Sequence, residues 1–498
     1  MSKRVFLLLV TGVCLVISSS KIQLKAQPSP KIRRVLLISV DGLHALDLAN
    51  FVRTHPHSTL AQLSASGITY TQASTSRPSN SFPGLLSMLT GGSPASTGVW
   101  YEGAYARSLS APGSSCKTIG TEVIWSNALD KNKKLVDAGG GIDPAKLPLD
   151  PGKGCIPVYP HNFLKVNTIF EVARSNGMRT AWIDKHPSYE MVNGPSGKGV
   201  DDLYTPEIGS STRDVKGQIA YDDLKVQAII NEINGLDHAG KPSTVPGLFG
   251  MTFQSVRFAQ VTPAGGYTDA SGMPSEPLLE AIDHADQSIG KMVSALKARN
   301  LLDSTLIIVT AKHAQAPIDR NKARIVDESI IPKLIDRMQN KLVAFSYADG
   351  NITSIWLTDQ SQTEKVARML VEPANASLAA IQNVLWGESL KLMTNNPSRD
   401  DRIPDIVVIP NFGNMYVPAD DKSIAAHGGF SHEDTNVALL VSNPRIEAQA
   451  VKTPVETTQI APSVLKALAL NSDSLQAVQK EHTLPLPGLF DTGRFRLK

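Results

Sequence analysis

At 498 residues, 42% of them hydrophobic, the chain is long enough to bury a large core, as one big α/β domain or two smaller ones. Lysine and arginine total 49 against 46 aspartates and glutamates, a net charge of +3. With charge so balanced and no long basic run, the sequence offers no nucleic-acid-binding surface.

The first segment reads as a targeting signal. Lys3 and Arg4 precede an apolar run, residues 5–17, that is too short to span a bilayer, and polar Ser18-Ser19-Ser20-Lys21 follows. Leu24-Lys25-Ala26 is an imperfect cleavage site, giving a signal peptide over 1–26 and a mature start at Gln27; an uncleaved anchor is the alternative. Cys14, after Thr11-Gly12-Val13, is not read as a lipid site. No later run is long and charge-free enough for a membrane helix, so a periplasmic or secreted protein with no stable span is expected, folded as a single domain over 27–498. Cys116 and Cys155 then remain, and in an exported protein they read as one structural disulfide, two buried thiols being the alternative.

A buried β-branched strand over 34–40 ends in Asp41-Gly42. A helix over 58–66 follows, and Ser81-Phe82-Pro83 looks like a second helix start, where orphan N–H groups favour an anion. Residues 101–162 are loop-rich. A helix over 168–175 and a strand over 180–183 lead into Asp184-Lys185-His186-Pro187, read as shaping a pocket wall. A second loop-rich stretch covers 187–215. Next come a helix over 221–233, a strand over 254–260 and a long helix over 275–299. In that helix Leu278, Leu279, Ile282, Ala285, Ile289, Val293 and Leu296 make the buried stripe. His284 faces away from it and reads as solvated; Asp286 lies near it and reads as a satisfied structural carboxylate. A strand over 305–310 runs into Ala311-Lys312-His313. A strand over 353–357, a helix over 363–370, a loop-rich stretch over 394–426 that includes a strand over 405–409, the turn His427-Gly428-Gly429-Phe430-Ser431-His432, a strand over 437–441 and a helix over 462–469 complete the chain. The alternation predicts a three-layer α/β/α sandwich on a largely parallel sheet, with loop insertions at 101–162, 187–215 and 394–426.

Asp41 and Ser81, with the segments around Asp269, His313 and His427, resemble the alkaline phosphatase superfamily, and within it the type I phosphodiesterase/nucleotide pyrophosphatase family. The order carries the resemblance: strand-Asp-Gly, hydroxyl-Phe-Pro with Thr-Gly soon after, Asp, strand-x-x-His, then His-Gly. It implies an alkaline-phosphatase-like fold, a hydrolase of phosphoric esters or nucleotides, and two divalent ions, zinc above all, flanking the nucleophile. By resemblance Asp41, Ser81, Asp269, His313 and His427 are metal ligands. Ser81 is also the nucleophile, forming a phosphoryl-serine intermediate; metal coordination would favour its alkoxide.

Two positions depart from that pattern. Met273 stands where the family has a histidine, and its thioether is a poor ligand for a hard or borderline ion. Lys312 stands where the family has a metal carboxylate. Three accounts follow: other ligands are recruited, with His432 the nearest; one ion is lost and Lys312 acts catalytically as a fixed cation; or the site no longer hydrolyses. Gly84 also replaces a common family asparagine, which leaves the oxyanion to backbone N–H groups near Ser81 and to Lys312. Ser79 is the fallback nucleophile. Taken singly, each residue has a plainer role: Asp41 and Ser81 as caps, Asp269 as a turn residue, the histidines as core polar groups. A phosphomonoesterase and a non-catalytic binder of phosphorylated ligands are the alternatives; the sequence around Ser81 lacks a sulfatase signature.

Overall fold

The computed structural model describes residues 32–490. The expected signal peptide, with Cys14, lies outside them. Twelve strands and seven helices are sufficient to place the site. The strands are β1 (Arg34–Val40), β2 (Gly67–Tyr70), β3 (Thr180–Ile183), β4 (Asp202–Tyr204), β5 (Leu248–Phe253), β6 (Thr305–Thr310), β7 (Val343–Ala348), β8 (Thr353–Leu357), β9 (Ile381–Trp386), β10 (Ile406–Pro410), β11 (Leu439–Ser442) and β12 (Gln449–Val451). The helices are α1 (Ala45–Thr54), α2 (Thr59–Ala65), α3 (Ser81–Thr90), α4 (Val215–Ile233), α5 (Ser255–Val261), α6 (Glu276–Ala298) and α7 (His432–Thr435).

Eight strands form one sheet in the order β12-β2-β11-β6-β1-β5-β3-β4. β1 is central and runs parallel to both neighbours, with Val40 opposite Phe253 on β5 and Ser39 opposite Thr310 on β6. β5 continues the parallel set into β3 and β4, while β11 enters antiparallel between β6 and β2. The unbroken apolar runs of β1, β5 and β6 are buried on both faces, as a sheet covered on both sides requires. Helices α2, α4 and α5 pack against α6, and α3 packs with the later helices Ile169–Ser175 and Ile460–Ala467. This is the α/β/α sandwich. A separate antiparallel sheet, β7-β8-β10-β9, carries its own apolar cluster around Ile355, Leu357, Ile406 and Val408.

One expected strand is a helix. Gln254 is the N-cap of α5 and residues 255–260 lie in that helix; the strand precedes them as β5. Val256 and Phe258 mimic a period of two, and Gly250 weakens the strand signal of the true run. Gly250 is there because Leu37 O would lie 1.9 Å from any Cβ at that position, so at this point the close approach of β5 to β1 admits only glycine. His284 is not solvated: its Nε2 pairs with Asp223 of α4 at 3.0 Å. Asp286 does take the structural part expected of it, accepting the Thr59 and Leu60 amides that open α2. Cys116 and Cys155 form a disulfide with Cα atoms 5.9 Å apart. Among the described residues no helix is long and apolar enough to cross a membrane.

Candidate active site

Because β1, β3, β5 and β6 are parallel, their carboxyl ends open on one edge of the sheet, the place where such sheets bind ligands. The residues just beyond those ends are Asp41, Asp184, Gln254 and Lys312, and all four side chains are buried. Asp41 Oδ1 accepts Ser39 Oγ at 3.1 Å, and its Oδ2 accepts Gln254 Nε2 at 2.7 Å. Lys312 Nζ and Lys185 Nζ lie 3.6 and 3.8 Å from that same Oδ2. Burial pushes the Asp41 carboxyl up, but Lys312, Lys185, His313 and the Gln254 hydrogen bond together hold it well below the usual carboxylate range.

Lys312 is wholly buried. Its Nζ bonds Asp184 Oδ1 at 2.9 Å and sits 4.3 Å above the centre of the Tyr189 ring. Asp184 is itself fixed by Thr252 Oγ1 at 2.7 Å and Trp182 Nε1 at 3.1 Å. Lys185 donates to Gln254 Oε1 at 3.0 Å and reaches Ser81 Oγ at 3.5 Å. Burial, aided by Lys312 and Arg257 and opposed by Asp41, brings the Lys185 pKa down to about 8.

Ser81 is the first residue of α3, and Asn80 caps that helix by accepting the Phe82 amide at 3.3 Å. The rest of the first turn has little to give an anion. Pro83 has no N–H and Gly84 donates to Asn80 O, so the expected backbone oxyanion cradle is thin here. Gly84 has a steric cause: a Cβ would lie 1.9 Å from Lys312 O, so α3 rests directly on the Lys312 backbone. The Tyr189 hydroxyl, buried and without a hydrogen-bond partner, is close enough to Ser81 to feel its hydroxyl.

The His313 and His427 rings stack with centroids 4.0 Å apart. His313 Nδ1 lies 3.1 Å from Ala314 O, and its Nε2 is buried without a partner. Burial lowers both pKa values, that of His313 to about 3, so both imidazoles are neutral. His427 Nε2 is 3.9 Å from Asp349 Oδ2. Burial and Asp349 raise Glu102 to about 7. Arg257, on the first turn of α5, acts electrostatically on Lys185, His313, His427, Asp349 and Glu102. Yet it has no hydrogen-bond or ion-pair partner among the described residues.

The fold thus gathers Asp41, Ser81, Lys312 and His313, with His427 stacked on His313. It does not bring Asp269. That side chain is fully exposed and closes its own turn, accepting Ser271 N at 2.8 Å, Ser271 Oγ at 2.6 Å and Met273 N at 3.4 Å. His432 is also exposed; it borders a cavity of about 420 Å³ with His44 and Ala270, which none of Asp41, Ser81, His313 or His427 lines. Ser79 Oγ is committed to Asp434 O at 2.5 Å. The residues that sequence reasoning undervalued are Lys185, read as wall, and Gln254 and Arg257, hidden inside a misread strand. The signal for the latter pair was the polar break after Phe253, at a strand's carboxyl end.

The donors do not fit a two-ion centre. Among the described residues no three His, Cys, Asp or Glu side chains are arranged to hold a metal ion. Both Asp41 oxygens already accept hydrogen bonds, and two ammonium groups stand within 4 Å of one of them. Ammoniums so placed compete for the lone pairs a divalent ion would use and repel the ion itself.

A mostly parallel α/β/α sheet with a serine and an aspartate at its carboxyl edge defines an alkaline-phosphatase-like hydrolase. The model of the family "Type I phosphodiesterase / nucleotide pyrophosphatase" matches residues 35–431, and the chain belongs to that family. The family generally depends on divalent metal ions. The chain is similar in fold to murine ectonucleotide pyrophosphatase / phosphodiesterase 5, at 15% identity and a TM-score of 0.57, over 88% of this chain and 96% of that one. The same figures hold for an inactive form of the murine protein in complex with AMP. For the human counterpart they are 14%, 0.57, 88% and 95%. No curated protein sequence matches the chain.

Proposed function

We propose that the chain is an exported hydrolase of phosphoric esters, of the phosphodiesterase/nucleotide-pyrophosphatase kind, in which Ser81 receives the phosphoryl group. The observation that carries this is the setting of Ser81 Oγ: the first turn of α3, 3.5 Å from Lys185 Nζ, at the sheet edge where Asp41 ends β1. Ser81 Oγ attacks phosphorus and the bond to the leaving oxygen breaks in line. The hydroxyl proton passes to the departing oxygen, and Lys185, an ammonium donating toward Ser81 Oγ, stabilises the charge that develops there. Water then cleaves the phosphoryl-serine and frees Ser81. No step is assigned to a metal ion, because the donors present do not form its site. The AMP complex of the related murine protein makes a nucleotide the first substrate class to try. The disulfide supports export to an oxidising compartment.

A second reading has one observation in its favour. Lys312 is locked between Asp184 and Asp41, a pairing that also suits a protein that holds a phosphorylated ligand without cleaving it. Turnover of bis-p-nitrophenyl phosphate and of p-nitrophenyl phosphate, measured with EDTA and with added Zn²⁺, separates the two readings and ranks diester against monoester. Hydrolysis lost in Ser81→Ala supports the main reading. Undiminished hydrolysis in that variant removes Ser81 from the chemistry, and no hydrolysis under any condition leaves the binder.

A further inference from the structure

We propose that Lys185, Lys312 and Arg257 form a fixed-cation cradle that holds a dianionic phosphoryl group where the family uses divalent metal ions. The inference rests on the reading of Ser81 as the phosphoryl site.

Two ammonium groups meet around the Asp41 carboxylate, Lys312 at 3.6 Å and Lys185 at 3.8 Å, and Arg257 stands behind them on α5. Lys185 follows β3, Arg257 lies one turn beyond β5, and Lys312 follows β6; β5 and β6 flank β1 and Asp41, and β3 is the next strand beyond β5. Their states differ in a way that divides the work. Lys312 is neutralised internally by Asp184 at 2.9 Å and Asp41 at 3.6 Å, so it is part of the frame. Lys185 donates one short hydrogen bond, to Gln254 Oε1 at 3.0 Å, and its other contacts are long, 3.8 Å to Asp41 and 3.5 Å to Ser81 Oγ. Arg257 makes no hydrogen bond among the described residues; its charge reaches Lys185, His313 and His427 and is offset in part by the Asp349 and Glu102 carboxylates. A half-buried guanidinium brings five N–H donors in a planar fork suited to two oxygens of one phosphate.

Other unspent groups border the same space. The Tyr189 hydroxyl and His313 Nε2 are buried without partners, and such groups ordinarily find one. A phosphoryl oxygen is an acceptor for the tyrosine. The α3 N-terminus cannot supply the positive field alone, since Phe82 and Gly84 spend their amides on Asn80 and Pro83 has none. Side-chain cations must therefore carry it. The two lysines act from strand ends and Arg257 from the first turn of α5, Lys312 fully buried, where charge–charge attraction is strongest.

Calorimetric titration of inorganic phosphate into EDTA-treated protein tests the cradle. Phosphate is expected to bind without added metal. Arg257→Gln should weaken it at least about tenfold, as should Lys185→Gln, the loss expected for a charge-assisted hydrogen bond. Arg257 makes no hydrogen bond to break but offsets the buried Asp349 and Glu102 carboxylates, so Arg257→Lys, which keeps the charge and loses the planar fork, is measured beside Arg257→Gln: it should melt with the parent and still bind phosphate more weakly, which separates lost binding from lost folding. Binding that appears only with added Zn²⁺ or Mn²⁺, or is unchanged in both Gln variants, overturns the cradle. If ester hydrolysis is still lost in Ser81→Ala in that case, the Ser81 reading survives alone. Full hydrolysis in Ser81→Ala takes both down.

Discussion

Replacing Lys312 with methionine removes one charge and keeps most of the side-chain volume. In the parent its ammonium is 2.9 Å from Asp184 and 3.6 Å from Asp41, and neither carboxylate is exposed. The variant leaves two buried carboxylates, with Lys185 3.8 Å from one of them. Breaking a buried pair from one side costs about 3–5 kcal/mol. Unfolding entropy of roughly 2.1 cal/mol/K per residue amounts to on the order of 1 kcal/mol/K for a chain this long, so Tm should fall by about 3–5 °C at pH 7.5. The pH dependence has a definite sign. The Asp41 carboxyl is depressed in the fold, so its contribution to stability is present above about pH 4 and is lost as pH falls through the folded value. Without Lys312 the Asp41 carboxyl loses the strongest of the charges that hold it down and moves up, so the variant should recover stability relative to the parent as the pH is lowered. Melts followed by circular dichroism at pH 7.5 and 5 measure both effects. A variant that melts within 1 °C of the parent at both values, or whose deficit grows in acid, refutes the assignment of Lys312 as the counter-charge of Asp41 and Asp184.

Gly84→Ala drives a methyl to 1.9 Å from Lys312 O; overpacking of this kind should cost roughly 1–3 kcal/mol and, by moving α3, lower ester hydrolysis more than it lowers Tm. His44 is buried between Asp47 at 3.1 Å and Gln315 O at 2.7 Å. Burial would lower its pKa, but the Asp47 charge and these hydrogen bonds raise it above 6.5. Its contribution is therefore full below pH 6.5 and lost as pH rises through the folded value, so the Tm difference between parent and His44→Asn should shrink from pH 6 to 9. Opening the Cys116–Cys155 bridge, which spans 39 residues, should cost up to about 4 kcal/mol on a chain-entropy basis, read as a lower denaturation midpoint in Cys116→Ser/Cys155→Ser.

Much of the fold was legible because it rests on local signals. Unbroken β-branched runs such as Val35–Val40 have no other stable use than a buried strand, and the apolar stripe around Ile282 and Ile289 specified α6. The disulfide followed from a count of two. What misled was short apolar sequence, where period alone cannot separate strand from helix. Reading residues 254–260 as a strand concealed the edge that carries Gln254 and Arg257. Without that edge, the family pattern settled on Asp269, the next aspartate along, although that residue only closes a surface turn with Ser271. Lys185 was missed for another reason: its part depends on the β3–β5 pairing, a long-range contact that no local pattern encodes. Lys312 was visible from the start as an ammonium in a ligand's place, and the structure adds its two carboxylate partners.

The most direct test of the central claim is to trap the covalent intermediate. Protein incubated with a diester or nucleotide substrate, quenched in acid and digested, should carry one phosphoryl group on the peptide containing Ser81, and Ser81→Ala should carry none. A phosphoryl group found on another residue, or rapid hydrolysis by Ser81→Ala, would contradict the account.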